Sequence, residues 1–185
     1  MRHRYYFNKL IIILILIISG LLLSTKDSFA SDPKIIGFVI EATQMEGTMQ
    51  EPTMTAGDTT EQKNQPMLEL KFENLSAEGL TIKKLIKSPK GIETIEMSPE
   101  DKVLFSNLSL KVTNAQFSEN YLPTTGNFGI KNIKLLAHSV TANHSILPQF
   151  KLSLNEGGQV EMESKSEEEL LQMKTYLQQL ISSTP

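Results

Sequence analysis

The strongest signal along the chain is a period of two that repeatedly changes phase. From Met67 onward Leu68, Leu70 and Phe72 alternate with Glu69, Lys71 and Glu73, as in a strand with one buried and one wet face. Three times the chain then reads apolar-x-apolar-x-Asn-Leu/Ile-x-apolar: residues 70–77 around Asn74, 103–110 around Asn107 and 128–135 around Asn132. On the two sides of each Asn the apolar positions switch between odd and even. A one-residue slip turns every inward side chain outward, so each switch requires a β-bulge or a sheet corner. Asn suits that position because it tolerates a bent or left-handed backbone. Similar slips fall at Gly79, before Leu80 and Ile82, and at Asn114, before Ala115 and Phe117. The copies lie 33 and 25 residues apart, too uneven for a solenoid. The pattern predicts a mainly β fold in which bent antiparallel strands form a jelly roll or half-barrel.

The flanks read differently. Residues 35–40 form an apolar strand candidate, whereas residues 47–66 are rich in Pro, Gly, Thr and Gln without periodicity and predict a mobile polar loop. Near the end the period becomes helical. Ser166 and Glu169 form a capping box, and Glu167, Glu168 and Glu169 suit the positive end of a helix dipole. Leu170, Met173, Leu177, Leu180 and Ile181 then fall on one face. A helix is predicted over about 167–182, with a turn at Asn155-Glu156-Gly157-Gly158 before its approach.

Residues 1–30 read as a targeting segment. Arg2, Arg4 and Lys9 precede an apolar run from Leu10 to Leu23, and Ser28-Phe29-Ala30 supplies small residues where a signal peptidase cuts. The run is shorter than the roughly 20 residues that span a bilayer core, so cleavage after Ala30 is expected, with an uncleaved anchor as the alternative. The organisation expected is residues 1–30 as signal peptide, 31–66 as N-terminal strand and polar loop, and 67–185 as a β domain closed by the helix. The first 30 residues carry four of the 18 basic and one of the 21 acidic residues; the remainder, 14 against 20, has a net charge of −6. That sign argues against nucleic acid or an anionic membrane surface as partner. With no cysteine, the exported domain owes nothing to disulfides or thiolate metal sites and holds together by burial.

Candidate chemistry is sparse. Leu122-Pro123-Thr124-Thr125-Gly126 matches the L-P-x-T-G signal of sortases, but no apolar segment and basic tail follow it. A proline-initiated turn is expected instead, and no sortase anchoring to a wall. Met45, Met49 and Met54 carry soft thioethers, yet neither His138 nor His144 shows ligand spacing, so packing methionines and no metal or cofactor are expected. His138 and His144 are expected at the surface or at strand ends. There is no G-x-S-x-G elbow and no phosphate loop, so no catalytic residue is assigned. Asn74, Asn107 and Asn143 open glycosylation sequons, but two of these belong to the Asn repeat, which explains them through the backbone.

Residues 67–154, with "GLTIKKLIKSP" at 79–89 and "FSNLSLKVTNAQF" at 105–117, resemble an uncharacterised exported β family of actinobacteria and firmicutes. More distantly they resemble the lipopolysaccharide-transport jelly rolls of the LptA and LptC type. The latter resemblance implies bent strands around an open apolar trough, and neither contributes a catalytic motif. The function expected is an exported, non-enzymatic envelope protein that binds an apolar or lipid-like ligand or a protein partner. Its expected lining is Leu70, Phe72, Phe105, Leu108, Leu110, Ile130, Ile133 and Leu135. The alternative is a structural scaffold without a ligand cavity.

Overall fold

A computed structural model describes residues 34–146, 149–156, 160 and 162–183, all within a compact unit that begins at Asp32. The targeting segment expected over residues 1–30 lies outside the described residues, as do Gly157 and Gly158 of the expected turn. Ten strands form one antiparallel sheet: β1 (Lys34–Met49), β2 (Thr53–Gly57), β3 (Gln65–Glu78), β4 (Thr81–Ser88), β5 (Gly91–Pro99), β6 (Val103–Gln116), β7 (Glu119–Asn120), β8 (Phe128–Thr141), β9 (His144–Ile146) and β10 (Phe150–Glu156). A helix, α1 (Glu167–Ser183), follows. The mainly β class with bent antiparallel strands and a C-terminal helix is the one the alternation predicts.

Eight of the strands are segments of four longer ones. β1 and β2 run in line along β3 and β4, from Thr53↔Glu69 through Gln44↔Glu78 to Ile40↔Ile82. β6 and β7 likewise lie along β8, and β8 and β9 along β6. Pairing then closes on itself: β1 with β3, β3 with β6, β6 with β8, and β8 with β1. Closure leaves no edge within this ring, which removes the edge-strand liability there. β4 continues out of the ring, pairs with β5, and β5 pairs with β10, forming an open wing.

The parity switches are corners. Asn107 and Asn132 have φ of 50° and 51°, and Gly79 has 59°. In β8 the buried set passes from Phe128 and Ile130 to Ile133 and Leu135, and in β1 from Ile40 and Ala42 to Met45. The pairs Ala42↔Ile133 and Gln44↔Lys131 keep one register across that point. Adjacent strands therefore turn together at Thr43 and Asn132, with no residue inserted. Gly79 occupies the same line on the other side of Thr43, and a Cβ there would sit 2.7 Å from the Thr43 side chain. Asn74 works differently. Its φ is ordinary, and its Oδ1 accepts a hydrogen bond from Thr48 N–H at 3.1 Å, where the β1–β3 register shifts.

The stretch 47–66 corrects the sequence reading. Half of it is strand, completing β1, forming β2 and opening β3, and the chain reverses over residues 58–64. Pro, Gly and Thr hid β2, which does not alternate because none of its residues is fully buried.

Helix α1 begins with the predicted box. Ser166 Oγ accepts from Glu169 N–H at 3.3 Å, and Ser166 N–H donates to Glu169 Oε2 at 2.9 Å. Lys165 and Ser166 hold the exposed Glu169 carboxyl down at about 2. Leu170, Leu177 and Leu180 are buried in the same cluster as the ring interior, so the helix stops one mouth of the ring. A second, smaller cluster of Val39, Leu85, Leu136 and Met162 lies behind the wing, where residue 162 of the strap leading to α1 covers it.

Candidate functional site

The eight residues expected to line a trough converge as expected, but on a filled interior. Leu70, Phe72, Leu108, Leu110, Ile130, Ile133 and Leu135 are buried in one cluster, and Phe105 packs against its margin. Phe72 meets Phe128 edge to face, with ring centroids 5.3 Å apart. The space left among Leu70, Phe72, Ile130, Ile133, Leu135 and Leu177 is about 20 Å³, room for about one water and far too little for an acyl chain. An open trough at these residues is therefore a correction: Leu177 of α1 fills the place that cargo would take. Met45 and Met49 are buried in this core and Met54 packs against it, so the three thioethers act as apolar filler.

The wing carries a contiguous part of the apolar surface that remains. Antiparallel pairs place Ile40, Ile82 and Met97 side by side, then Phe38, Lys84, Ile95 and Leu154, with Leu152 beside Met97 and Phe150 beside Pro99. Phe150, Leu152 and Leu154 are 50%, 66% and 65% exposed. Phe38 and Ile82 also pack against the ring core, so this face continues the interior outward without a break. Lys84 sits near its middle. Sequence reading missed this face because β10 alternates as a core strand does, and alternation does not reveal which strands find a cover.

A third feature centres on His138. Its ring lies 3.0 Å from the Ile36 carbonyl through Nδ1 and 2.9 Å from Thr113 Oγ1 through Nε2. Nδ1 therefore donates to the carbonyl, and Nε2 accepts from the Thr113 hydroxyl, which accepts in turn from Ser164 Oγ at 3.0 Å. Burial holds the imidazole below its usual 6.5, against the pull of the Ile36 carbonyl and Glu61. Lys165 N–H donates to the Thr113 carbonyl, and Asn114 Nδ2 donates to the Glu163 carbonyl at 2.7 Å. His138 thus belongs to the fastening of the strap, not to a strand end. It borders a cleft of about 480 Å³ with Ile36, Glu61, Leu136, Met162 and Glu163. The run Leu135-Leu136-Ala137 was the available signal, since three consecutive apolar residues mean that both faces of β8 are covered there.

The LPTTG sequence lies between β7 and β8 and is tied to β1. Thr124 N–H and the Tyr121 hydroxyl both donate to Glu46 Oε2, and Glu46, buried, also faces Lys102 at 3.6 Å. Burial and the Glu46 charge push the Tyr121 phenol up to about 12. Asn127 bonds through its side chain to Met49 N–H and to the Met49 carbonyl, and Gly126 takes φ of 90° against Gly47. Comparison of the chain with family models, with curated proteins and with solved structures returns no match.

Proposed function

We propose that this is an exported, non-enzymatic protein of the cell envelope that binds an apolar, lipid-like ligand on the inner face of the wing. The observation that carries the proposal is the exposure of Phe150, Leu152 and Leu154 on a face continuous with the core. The ring interior is stopped by α1 and Met162 covers Leu85 at the back of the wing, whereas Phe150, Leu152 and Leu154 have no cover among the described residues. Contiguous exposed apolar surface marks interaction sites in soluble proteins. Its aliphatic side chains suit an acyl chain, and Lys84 offers a cation to an acidic head group. The apolar run and the Ser28-Phe29-Ala30 site support export with cleavage after Ala30.

Titration with a fluorescent fatty acid tests the reading. Saturable binding is expected, abolished by Ile95→Glu with circular dichroism unchanged. Lys84→Gln is expected to weaken binding of the acid but not of the matching alcohol. A folded native protein that binds neither would leave the scaffold reading, which the filled interior favours.

A further inference from the structure

The outer edge of β10 carries a second inference, independent of any ligand. β10 pairs with β5 along its whole length, and its other edge has no partner among the described residues. Sheet edges are ordinarily guarded by proline, bulges, covering loops or inward charges. β10 reads Phe-Lys-Leu-Ser-Leu-Asn-Glu, without proline, and its register with β5 is unbroken. Its one lysine, Lys151, points to the opposite face from Phe150, Leu152 and Leu154 and pairs with Glu100 at 3.4 Å. This edge is open rather than guarded.

We propose that the occupant of this edge is β10 of a second copy, joined antiparallel about a two-fold axis through Leu152. The pattern of the strand selects that partner. Directly opposed residues in an antiparallel pair share a face, so a two-fold passes through a residue and matches positions equally spaced from it. With the axis at Leu152, Phe150 faces Leu154 of the second copy, Leu152 faces itself, and Lys151 faces Ser153. Every apolar side chain meets an apolar one and no like charges oppose. An axis at Ser153 sets Phe150 against Glu156, one at Lys151 sets lysine against lysine, and one at Leu154 sets Leu152 against Glu156. The two wings become one continuous sheet. A strand pair alone buries less than the roughly 1,200–2,000 Å² of a standard interface, so the dimer is a weak, concentration-dependent one.

The test uses the intact protein, which has no native cysteine. Sedimentation equilibrium is expected to give a monomer–dimer equilibrium, and Leu152→Lys to weaken it at least about ten-fold by opposing two charges at the axis. Leu152→Cys is expected to oxidise to a covalent dimer, because opposed residues lie within disulfide reach. Leu154→Cys is expected to remain a thiol, its two copies being separated along the strands by about four residues. Ile95→Glu, inside the face but off the edge, leaves the dimer intact, so loss of ligand binding and loss of dimer are read separately. A monomer at all concentrations up to about 0.1 mM overturns the proposal. So does equal cross-linking of the two cysteine variants, or association that Leu152→Lys leaves unchanged.

Discussion

Leu177→Ala tests whether α1 is the stopper of the ring. Leu177 is 2% exposed and borders the small residual void with Phe72, Ile130 and Leu135. Losing the apolar atoms costs about 2 kcal/mol in transfer free energy. The remaining cost depends on collapse. The walls are strands paired on both sides within a closed ring, and they already leave about 20 Å³ open, so little closure is expected. A new cavity on the order of 100 Å³, at about 24 cal/mol per Å³, adds roughly 2 kcal/mol. The total is about 4 kcal/mol, or about 8–16 °C in Tm for a domain of this size. Urea unfolding should show a lower midpoint with an unchanged slope. Leu171, on the same helix but 45% exposed, is the control, and Leu171→Ala should stay within about 0.5 kcal/mol. Equal effects of the two substitutions, or a loss under about 1 kcal/mol at Leu177, would refute the seating of the helix.

Three further outcomes follow. His138, held below 6.5 by burial, binds its proton more weakly in the folded than in the unfolded chain. Stability is therefore full well above 6.5 and falls as pH drops through it; urea midpoints of His138→Asn should lack that slope above about 5.5, below which carboxylates begin to protonate. Asn107→Ala should cost about 1–2 kcal/mol in chemical denaturation through its left-handed backbone, while Asn107→Gly should be nearly neutral, and equal costs would contradict the corner. Incubation with a sortase and a glycine nucleophile should leave the folded protein intact, because Glu46 and Asn127 tie down the pentapeptide; cleavage between Thr125 and Gly126 in the folded state would contradict this.

The parity switches at Asn74, Asn107, Asn132 and Gly79 were legible because parity is a local property of the chain, written in which neighbours are apolar. The capping box was legible for the same reason, and α1 runs one residue beyond its expected end. What was not legible depends on layers. Residues 47–49 and 53–57 form strand because β3 offers them an edge, and no feature of that stretch announces its partner. His138 is half-buried because a strap from residues 162–165 crosses β6 and β8, an encounter between positions far apart in sequence. The eight expected lining residues meet in the structure, seven in the core cluster and Phe105 at its margin, yet whether they enclose a hollow depends on Leu177, which the alternation cannot see.

That dependence is why the binding proposed above is placed on the wing and not in the ring. At the line of Gly79, Thr43 and Asn132 the strands turn together, so the face that looks into the ring continues onto β4 as Ile82, Lys84 and Ile86. A corner of this kind does not end an apolar face; it carries the face out of the enclosure that had buried it. Beyond the corner β1 still flanks the strand, but β6 no longer does, and β5 and β10 take its place in a single open layer. One sheet face needs a second layer to become core. Helix α1 supplies that layer to the ring, where it touches β2, β3 and β6, and the strap supplies it behind the wing. Covering the inner wing as well would take α1 off the ring and expose Leu70, Phe72 and Leu135. The helix cannot serve both places, so on the proposed reading the occupant of the inner wing is neither α1 nor the strap.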